Sequence, residues 1–270
     1  MSKKLYNGVQ IPEIGFGLWK VENEEQLKLA VECALKNSYT HFDSAQIYGN
    51  EAMLGRVLKE LNVDRSKLFI TTKLWNDNQY LEDIGPSFDE SLENLQMDYV
   101  DLFLMHYPVT ETRHAAWRIG MQEIYTSGRA KAIGVSNYTI RHLEEMKQWG
   151  VGLPAVNQVE LHVFLQQPEL IEYCRENNIV VEAYSPLAHG HGLDNEVLVE
   201  IAKKHRKSTA QIMIRWCLEM GTVPLPKSIT PERIAENIDV LDFKLDEHDM
   251  KELKKLDKDL RTCWDPTNTP

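Results

Sequence analysis

The sequence predicts an α/β protein, a (β/α)8 TIM barrel in a single domain over residues 1–270, and three observations lead to this fold class. Short runs of β-branched and aromatic residues alternate with longer amphipathic stretches, which is the pattern of parallel βα units. The apolar runs number eight, the strand number of this barrel. The length of 270 residues is close to the roughly 250 that are typical of the fold.

Each barrel strand is predicted from its own apolar run. In chain order the strands are 14–19, 40–44, 68–74, 99–106, 130–136, 155–160, 179–184 and 222–226. Apolar residues at i, i+3 and i+4 predict the helices between them. These helices are 24–36, 51–61, 87–95, 140–149, 168–177 and 209–219, with another beginning at 231.

Three further segments lie outside the simple alternation of strand and helix. The stretches 195–205 and 246–256 are amphipathic, and they predict two additional helices. Near the start of the chain, Asn7-Gly8 stands between two short alternating runs. That dipeptide is typical of a tight turn, so we expect an N-terminal β-hairpin that plugs the bottom of the barrel.

Composition and charge exclude several classes of function. Lys and Arg total 30 against 41 Asp and Glu, and the net charge of −11 disfavours nucleic acid as a partner. No segment approaches the ~20 apolar residues of a membrane span, and no signal peptide is visible. The cysteines are widely spaced, at Cys33, Cys174, Cys217 and Cys263. We expect a cytoplasmic protein with reduced thiols, more readily a monomer than an oligomer.

Polar side chains stand where the predicted strands end. Asp43, Lys73 and His106 close the second, third and fourth strands, and Tyr48 follows the second. Carboxyl ends of barrel strands share one opening, so these groups should meet there. A buried Lys73 needs Asp43 as its partner, and its ammonium should lower the pKa of Tyr48. Tyr48 would then protonate a carbonyl oxygen while a cofactor delivers hydride.

Other interpretations of the same residues remain open at this point. Asp43 and Lys73 are equally consistent with a structural ion pair, and His106 with a hydrogen-bonded core residue. Lys73 could instead be the Schiff-base amine of an aldolase, an assignment that leaves Tyr48 without a role. A non-catalytic binding protein on the same fold is the third alternative.

Three long segments resemble the signatures of the aldo-keto reductase superfamily. They are residues 40–51, 97–108 and 225–237, in the family's order and each at a predicted strand end. The resemblance implies an NADP-dependent oxidoreductase that reduces small aldehydes or ketones. It implies Tyr48 as the general acid, Lys73 and Asp43 as the pair that tunes it, and His106 as the donor that orients the substrate carbonyl.

The resemblance also implies a set of cofactor-binding residues. Ser136, Asn137 and Gln158 would hold the nicotinamide carboxamide, and Tyr184 would stack on the ring. Ser185 and Leu187 would lie along the pyrophosphate. No G-x-G-x-x-G motif is present, so a Rossmann dehydrogenase is disfavoured.

A cationic cluster near residue 230 stands out against the acidic background. Thr230 and Pro231 are a plausible N-cap and first helical residue, so free N–H groups would face an anion there. The nearby polar groups are Lys227, Ser228, Arg233, Glu236 and Asn237. The resemblance implies that the first three hold the 2′-phosphate and adenine ribose, and that the last two contact the adenine. NADPH is therefore expected rather than NADH.

Aromatic residues follow three of the strands and would line the substrate pocket together with His106. They are Trp19, Trp75 and Tyr107. His189 and His191 have no third ligand at a useful spacing, so no metal is expected. The short tail after the last predicted helix resembles that of the short-tailed microbial members, the diketogluconate reductase-like and prostaglandin F synthase-like groups. A short tail implies an open pocket and broad selectivity.

Overall fold

A computed structural model describes residues 2–270 of the protein. Within them ten strands form two sheets. The strands are β1 (Ser2–Lys4), β2 (Gln10–Pro12), β3 (Phe16–Gly17), β4 (His41–Asp43), β5 (Phe69–Leu74), β6 (Leu102–Met105), β7 (Ile133–Ser136), β8 (Val156–Glu160), β9 (Val180–Tyr184) and β10 (Val223–Leu225).

Strands β3 to β10 are the eight predicted barrel strands, and they pair in parallel in chain order. Gly15 N donates to Pro224 O at 3.0 Å and Gly17 N to Pro226 O at 3.1 Å, which joins the first strand to the last. The fold prediction is confirmed. Most strands are shorter than predicted because residues at their ends make single contacts outside the ladders, as in the isolated bridge between Val100 and Ala130.

Eleven α-helices are formed by the described residues, most of them on the outside of the barrel. They are α1 (Glu24–Lys36), α2 (Glu51–Glu60), α3 (Leu81–Leu95), α4 (Arg113–Ala115), α5 (Gln122–Thr126), α6 (Ile140–Gln148), α7 (Pro168–Glu176), α8 (Glu196–His205), α9 (Thr209–Glu219), α10 (Pro231–Ile238) and α11 (Glu247–Lys254). The bounds of α1 and α9 are those predicted. Helix α3 begins six residues earlier than predicted, because buried Ile84 and Phe88 hold its first turns around the exposed Pro86.

The segment between β6 and β7 is helical, which the sequence did not predict. Helix α4 continues through a π-helical stretch, Ala116–Met121, into α5. Trp117 is fully buried there, and its Nε1 donates to Gly152 O at 3.0 Å. The wider π turn interrupts the 3.6-residue period by which a helix is recognised in a sequence.

The amino end of the barrel is closed by the predicted hairpin. Strands β1 and β2 pair antiparallel, and Gly8 adopts a φ of 93° in the turn that joins them. Leu5 and Ile11 are buried against residues near the start of the barrel strands, including Phe69 and Leu102. The apolar contact seals this end, so the open mouth lies at the carboxyl ends of the strands.

The two additional helices, α8 and α11, are present and contact each other. Lys204 Nζ donates to Asp249 Oδ1 at 2.7 Å, and His205 Nε2 lies 2.7 Å from Asp249 Oδ2. The prediction of two extra helices is confirmed. None of the helices in residues 2–270 is both long and apolar enough to cross a lipid bilayer.

Candidate active site

The four residues predicted as catalytic lie together at the carboxyl ends of β4, β5 and β6. Lys73 Nζ donates to Asp43 Oδ1 at 2.6 Å and to Ser44 O at 2.9 Å. It also lies 3.3 Å from the hydroxyl oxygen of Tyr48. The rings of Tyr48 and His106 meet edge to face, with centroids 5.9 Å apart. A buried ammonium is thus held between a carboxylate and a phenol.

The loop that carries Tyr48 is fixed by its neighbours. Tyr48 ends a short 3-10 turn after β4, and Gly49 follows in the left-handed region with a φ of 65°. Asn50 is buried, accepts from Ser44 Oγ at 2.7 Å and donates to Leu18 O at 2.9 Å. Because Asn50 links the loop to the strands on both sides, the position of the Tyr48 hydroxyl is set by the barrel itself.

The ionisation of this cluster differs in one respect from the expectation. Burial works against the charged form of Lys73, but Asp43 and Tyr48 outweigh it and raise the pKa of Lys73. Burial is also the largest influence on Tyr48, and it raises the pKa of that phenol although Lys73 acts in the opposite direction. The predicted net lowering of the Tyr48 pKa is therefore wrong for this state. Desolvation of the hydroxyl exceeds the effect of a single ammonium that Asp43 already neutralises.

His106 is a neutral imidazole beside the phenol. Burial, assisted by the positive charge of Lys73, lowers the pKa of His106 well below its ordinary value. Its Nδ1 is buried and has no hydrogen-bond partner within residues 2–270, and its backbone oxygen accepts from Asn137 Nδ2 at 3.0 Å. Since Nδ1 is enclosed, Nε2 is the ring nitrogen left to meet a ligand.

A cavity of about 580 Å³ opens above these residues, within the range of small-molecule sites. It brings together most of the residues predicted for the catalytic and cofactor sites. The predicted residues that line it are Trp19, Asp43, Tyr48, His106, Ser136, Asn137, Gln158, Tyr184, Ser185, Leu187 and Lys227. Lys73 is buried against two of these residues, Asp43 and Tyr48. Ser228 lies on the segment that leads into α10, whereas Arg233, Glu236 and Asn237 lie within α10 itself.

The wall formed by β7, β8 and β9 is a continuous hydrogen-bonded surface. Tyr184 donates its hydroxyl to Asn137 Oδ1 at 2.7 Å, and Ser136 Oγ donates to Gln158 O at 2.8 Å. Asn137 has a φ of 64°, which turns its side chain between His106 and Tyr184. These bonds fix a flat aromatic face next to several amide and hydroxyl groups.

The opposite side of the cavity carries positive charge without carboxylate partners. Among the described residues, no carboxylate lies within 4.0 Å of the ammonium of Lys20, of Lys227 or of the Arg233 guanidinium. Partial desolvation by the cavity walls, together with repulsion from Lys20, lowers the pKa of Lys227, although the side chain remains exposed to solvent. Thr230 is the N-cap of α10, yet its side chain makes no capping bond, so the first N–H groups of the helix stay free. The site is suited to an anionic ligand.

The aromatic wall differs from the predicted one. Trp19 lines the cavity, whereas Trp75 and Tyr107 do not line it and pack against Trp264, a residue of the C-terminal segment 260–270. The ring centroid of Trp264 is 5.9 Å from that of His106. The hydroxyl of Tyr107 is 2.6 Å from Thr269 Oγ1, so it is engaged by the C-terminal segment.

Several cavity residues were missed by the sequence analysis. Lys20 directly follows the predicted Trp19, and its place after a strand end was a usable signal. Trp264 and Cys263 come from a segment without periodicity and carried no such signal. Glu160 fixes this segment by accepting from Thr262 N at 2.7 Å and Cys263 N at 3.1 Å. His189, considered above as a metal ligand, lies 3.1 Å from Cys263 Sγ.

The fold and the site together define a barrel oxidoreductase. A phenol and an imidazole face a cavity suited to an anionic cofactor, and a buried ammonium contacts the phenol. Residues 13–258 match the family model described as Aldo/keto reductase family. The chain therefore belongs to the aldo/keto reductase family. The predicted resemblance and enzyme class are confirmed.

The similar proteins include named reductases. Glyoxal reductase of Bacillus subtilis (strain 168) is 46% identical over 263 residues, covering 97% of this chain and 95% of that protein. Methylglyoxal reductase DkgA of Escherichia coli (strain K12) is 43% identical over 267 residues, covering 97% and 96%. The crystal structure of Bombyx mori aldo-keto reductase in complex with NADP has a TM-score of 0.90 at 31% identity, covering 97% of this chain and 94% of that one.

Proposed function

We propose that the protein is an NADPH-dependent reductase of small aldehydes and ketones, with α-oxoaldehydes such as methylglyoxal as its substrate class. The observation that carries the proposal is the contact of Tyr48, Lys73 and Asp43 at the base of the cavity, with His106 beside them. The substrate class is supported by similarity to proteins named glyoxal reductase and methylglyoxal reductase. The alternatives of an aldolase and of a non-catalytic binding protein have no observation in their favour.

Tyr48 acts as the general acid. When bound, NADPH supplies the hydride that adds to the carbonyl carbon. The Tyr48 hydroxyl gives its proton to the carbonyl oxygen, and the O–H bond of the resulting alcohol forms as that of the phenol breaks. Lys73, 3.3 Å from the phenol oxygen, stabilises the negative charge that develops there. The elevated pKa of Tyr48 keeps the proton in place until the carbonyl oxygen becomes basic.

His106 orients the carbonyl. As a neutral imidazole it can carry one proton on Nε2 and donate it to the carbonyl oxygen without becoming a competing acid. Tyr48 and His106 then converge on one oxygen from two directions, which fixes the face of the carbonyl that is presented to the hydride.

The residues of the cavity fit a nicotinamide dinucleotide phosphate. Ser136, Asn137 and Gln158 supply the polar groups for the carboxamide, and Tyr184 supplies the stacking face. Ser185 and Leu187 lie along the path of the pyrophosphate. For the 2′-phosphate and ribose we propose Lys227, Ser228 and Arg233, with Glu236 and Asn237 at the adenine. The unpartnered cations and the uncapped start of α10 support this assignment, since both leave donors for an anion.

The substrate lies between Trp19 and Trp264 over His106, and Trp75 and Tyr107 pack against Trp264. Trp19 and Trp264 are 40% and 51% exposed, so this part of the cavity is open to solvent. An open mouth leaves a small carbonyl compound free access to the Tyr48 hydroxyl.

The test is the variant Tyr48→Phe, assayed for NADPH oxidation with methylglyoxal and for NADPH binding by fluorescence quenching. We expect a loss of about 10²–10⁴ in kcat with an unchanged Kd for NADPH, the usual share of a general acid. Tyr39→Phe is the matched control, because it removes a buried hydroxyl that has no partner. A Tyr48→Phe enzyme that turns over like Tyr39→Phe contradicts the mechanism.

A further inference from the structure

A polar layer lies beneath the cavity floor, and it contains a glutamate to which the mechanism above gives no part. Glu182 is in the middle of β9 and is fully buried. Its register partner on β8 is Gln158, and its Oε2 accepts from Gln158 Nε2 at 2.9 Å. Side chains two apart on a strand share a face, so Glu182 lies on the same side of β9 as Tyr184.

Gln158 is held by two carboxyl groups at once. Its Nε2 donates to Asp43 Oδ2 at 2.8 Å as well as to Glu182. A primary amide has two N–H bonds, and both are used here. Since Gln158 also lines the cavity, its carbonyl oxygen is the atom left to face a ligand. Asp43 is meanwhile bound to Lys73 through its other oxygen.

We propose that Glu182 is a positioning residue of the reductase, which together with Asp43 locks Gln158 with its carbonyl oxygen toward the cavity, where it accepts from the carboxamide N–H of the cofactor. The inference rests on the proposed function, because Gln158 needs a nicotinamide as its ligand. With the amide reversed, N–H groups would face N–H groups, and the carboxamide would lose its acceptor.

Asp43 alone does not provide this lock. Its one hydrogen bond leaves the second N–H of the planar amide without an acceptor in this buried layer, and only one bond then opposes reversal of the amide. Glu182 accepts from the second N–H, and its Oε1 has no hydrogen-bond partner in the part of the chain that the structure describes, so no other hydrogen bond competes for this carboxyl group there. The nearest cation candidate is His41 Nε2, 3.7 Å from Oε1. Burial, with the positive charge of Lys73, lowers the pKa of His41 to about 3, so this imidazole is neutral.

The ionisation of Glu182 determines which substitutions preserve its hydrogen bond to Gln158. Burial, reinforced by the negative charge of Asp43, raises the pKa of Glu182 to about 8. The raised pKa favours the neutral carboxyl, whose carbonyl oxygen accepts from Gln158. Glutamine has the same shape and also offers a carbonyl oxygen, so Glu182→Gln preserves the lock while Glu182→Met removes it.

The experiment compares wild type, Glu182→Gln and Glu182→Met for NADPH binding, by fluorescence quenching, and for turnover of methylglyoxal. We expect Glu182→Met to raise the Kd and KM for NADPH about fivefold, the effect of one hydrogen bond, while the KM for methylglyoxal changes less than about twofold. Glu182→Gln should resemble wild type. Glu51→Met is the matched control, since it removes a buried glutamate that bonds Thr72 and should lower the thermal midpoint without changing the KM for NADPH.

A cofactor analogue separates positioning from general damage. The 3-acetylpyridine analogue of NADPH has no N–H on its acetyl group, so Glu182→Met should not weaken its binding relative to wild type. Equal weakening of both cofactors, or a Glu182→Gln variant as impaired as Glu182→Met, overturns the inference. If Glu182→Met does not fold, Glu182→Thr replaces it, because its side chain is too short to reach Gln158.

The outcome also distinguishes this inference from the proposed function. Turnover by wild type with no effect of Glu182→Met on NADPH binding refutes the role of Glu182 and leaves the reaction intact. Absent turnover with a selective loss of NADPH binding refutes the reaction and supports the role of Glu182. Absence of NADPH binding by wild type refutes both.

Discussion

Two lysines of the site stand in opposite electrostatic situations. Lys73, in the catalytic floor, is fully buried and bonds Asp43, Ser44 and Tyr48. Lys227, on the cofactor side, is exposed and has no carboxylate within 4.0 Å among the described residues. The charge of the first is satisfied by the protein, and that of the second is left for a ligand. The barrel therefore stabilises its catalytic groups from within, and it should gain stability from the cofactor on the other side.

The largest effect is expected when the ion pair between Lys73 and Asp43 in the catalytic floor is removed. Lys73→Met leaves the buried carboxylate of Asp43 without its partner, so we expect a loss of about 3 kcal/mol in the free energy of unfolding. It also removes the cation beside Tyr48, and kcat should fall by about 10³. Chemical denaturation and steady-state kinetics with methylglyoxal measure the two effects.

A double variant, Asp43→Asn with Lys73→Met, serves as the control for this prediction. It removes both charges, so much of the stability should return while activity stays low. If Lys73→Met is as stable as wild type, the ion pair with Asp43 does not stabilise the fold. The proposed difference between Lys73 and Lys227 would then be wrong.

On the cofactor side we expect a smaller and more selective effect. Lys227→Met should raise the KM for NADPH about tenfold and that for NADH much less, because only NADPH has the 2′-phosphate. The free energy of unfolding without cofactor should change by less than about 0.5 kcal/mol. Lys254→Met is the control, since Lys254 is an exposed lysine on α11, away from the cavity. Equal losses with NADPH and NADH would argue against the phosphate contact.

The smallest effect is expected at the mouth of the cavity, away from both Lys73 and Lys227. Trp264→Ala removes a ring that packs at a tilted angle against Trp75 and His106, at centroid distances of 5.7 and 5.9 Å. We expect the KM for methylglyoxal to rise about threefold, while NADPH binding is unchanged. Tyr80→Ala controls for the loss of an exposed aromatic residue, since Tyr80 is 54% exposed. A larger effect on NADPH than on methylglyoxal would assign Trp264 to the cofactor side.

The barrel was predictable because each strand is recognised from a short stretch of the sequence. Eight apolar runs place eight strands, and the geometry of parallel strands then brings Asp43, Lys73 and His106 to one opening. The hairpin was predictable from Asn7-Gly8 for the same reason. Trp264 was not, because its position depends on where Glu160 and Tyr107 hold a segment that has no period of its own.

Two other features needed three-dimensional information. The pKa of Tyr48 depends on the balance of desolvation against one ammonium, and the sequence identified only the ammonium. Glu182 did leave a trace in the sequence, as a lone charge inside the apolar run Ile179-Val-Val-Glu-Ala-Tyr184. The role of Glu182 depends on its pairing with Gln158 on the neighbouring strand, and the sequence of one strand does not show which residues lie opposite it.

The hairpin at the amino end affects the order in which ligands bind and dissociate. Buried side chains fill the barrel interior, and Leu5 and Ile11 cover its amino end, so the cavity opens only at the carboxyl ends of the strands. A ligand bound at the floor of the cavity is covered by a ligand that binds after it, so the second ligand must dissociate first. A nicotinamide resting on Tyr184 would thus wait beneath the alcohol it helped to make until that alcohol has left.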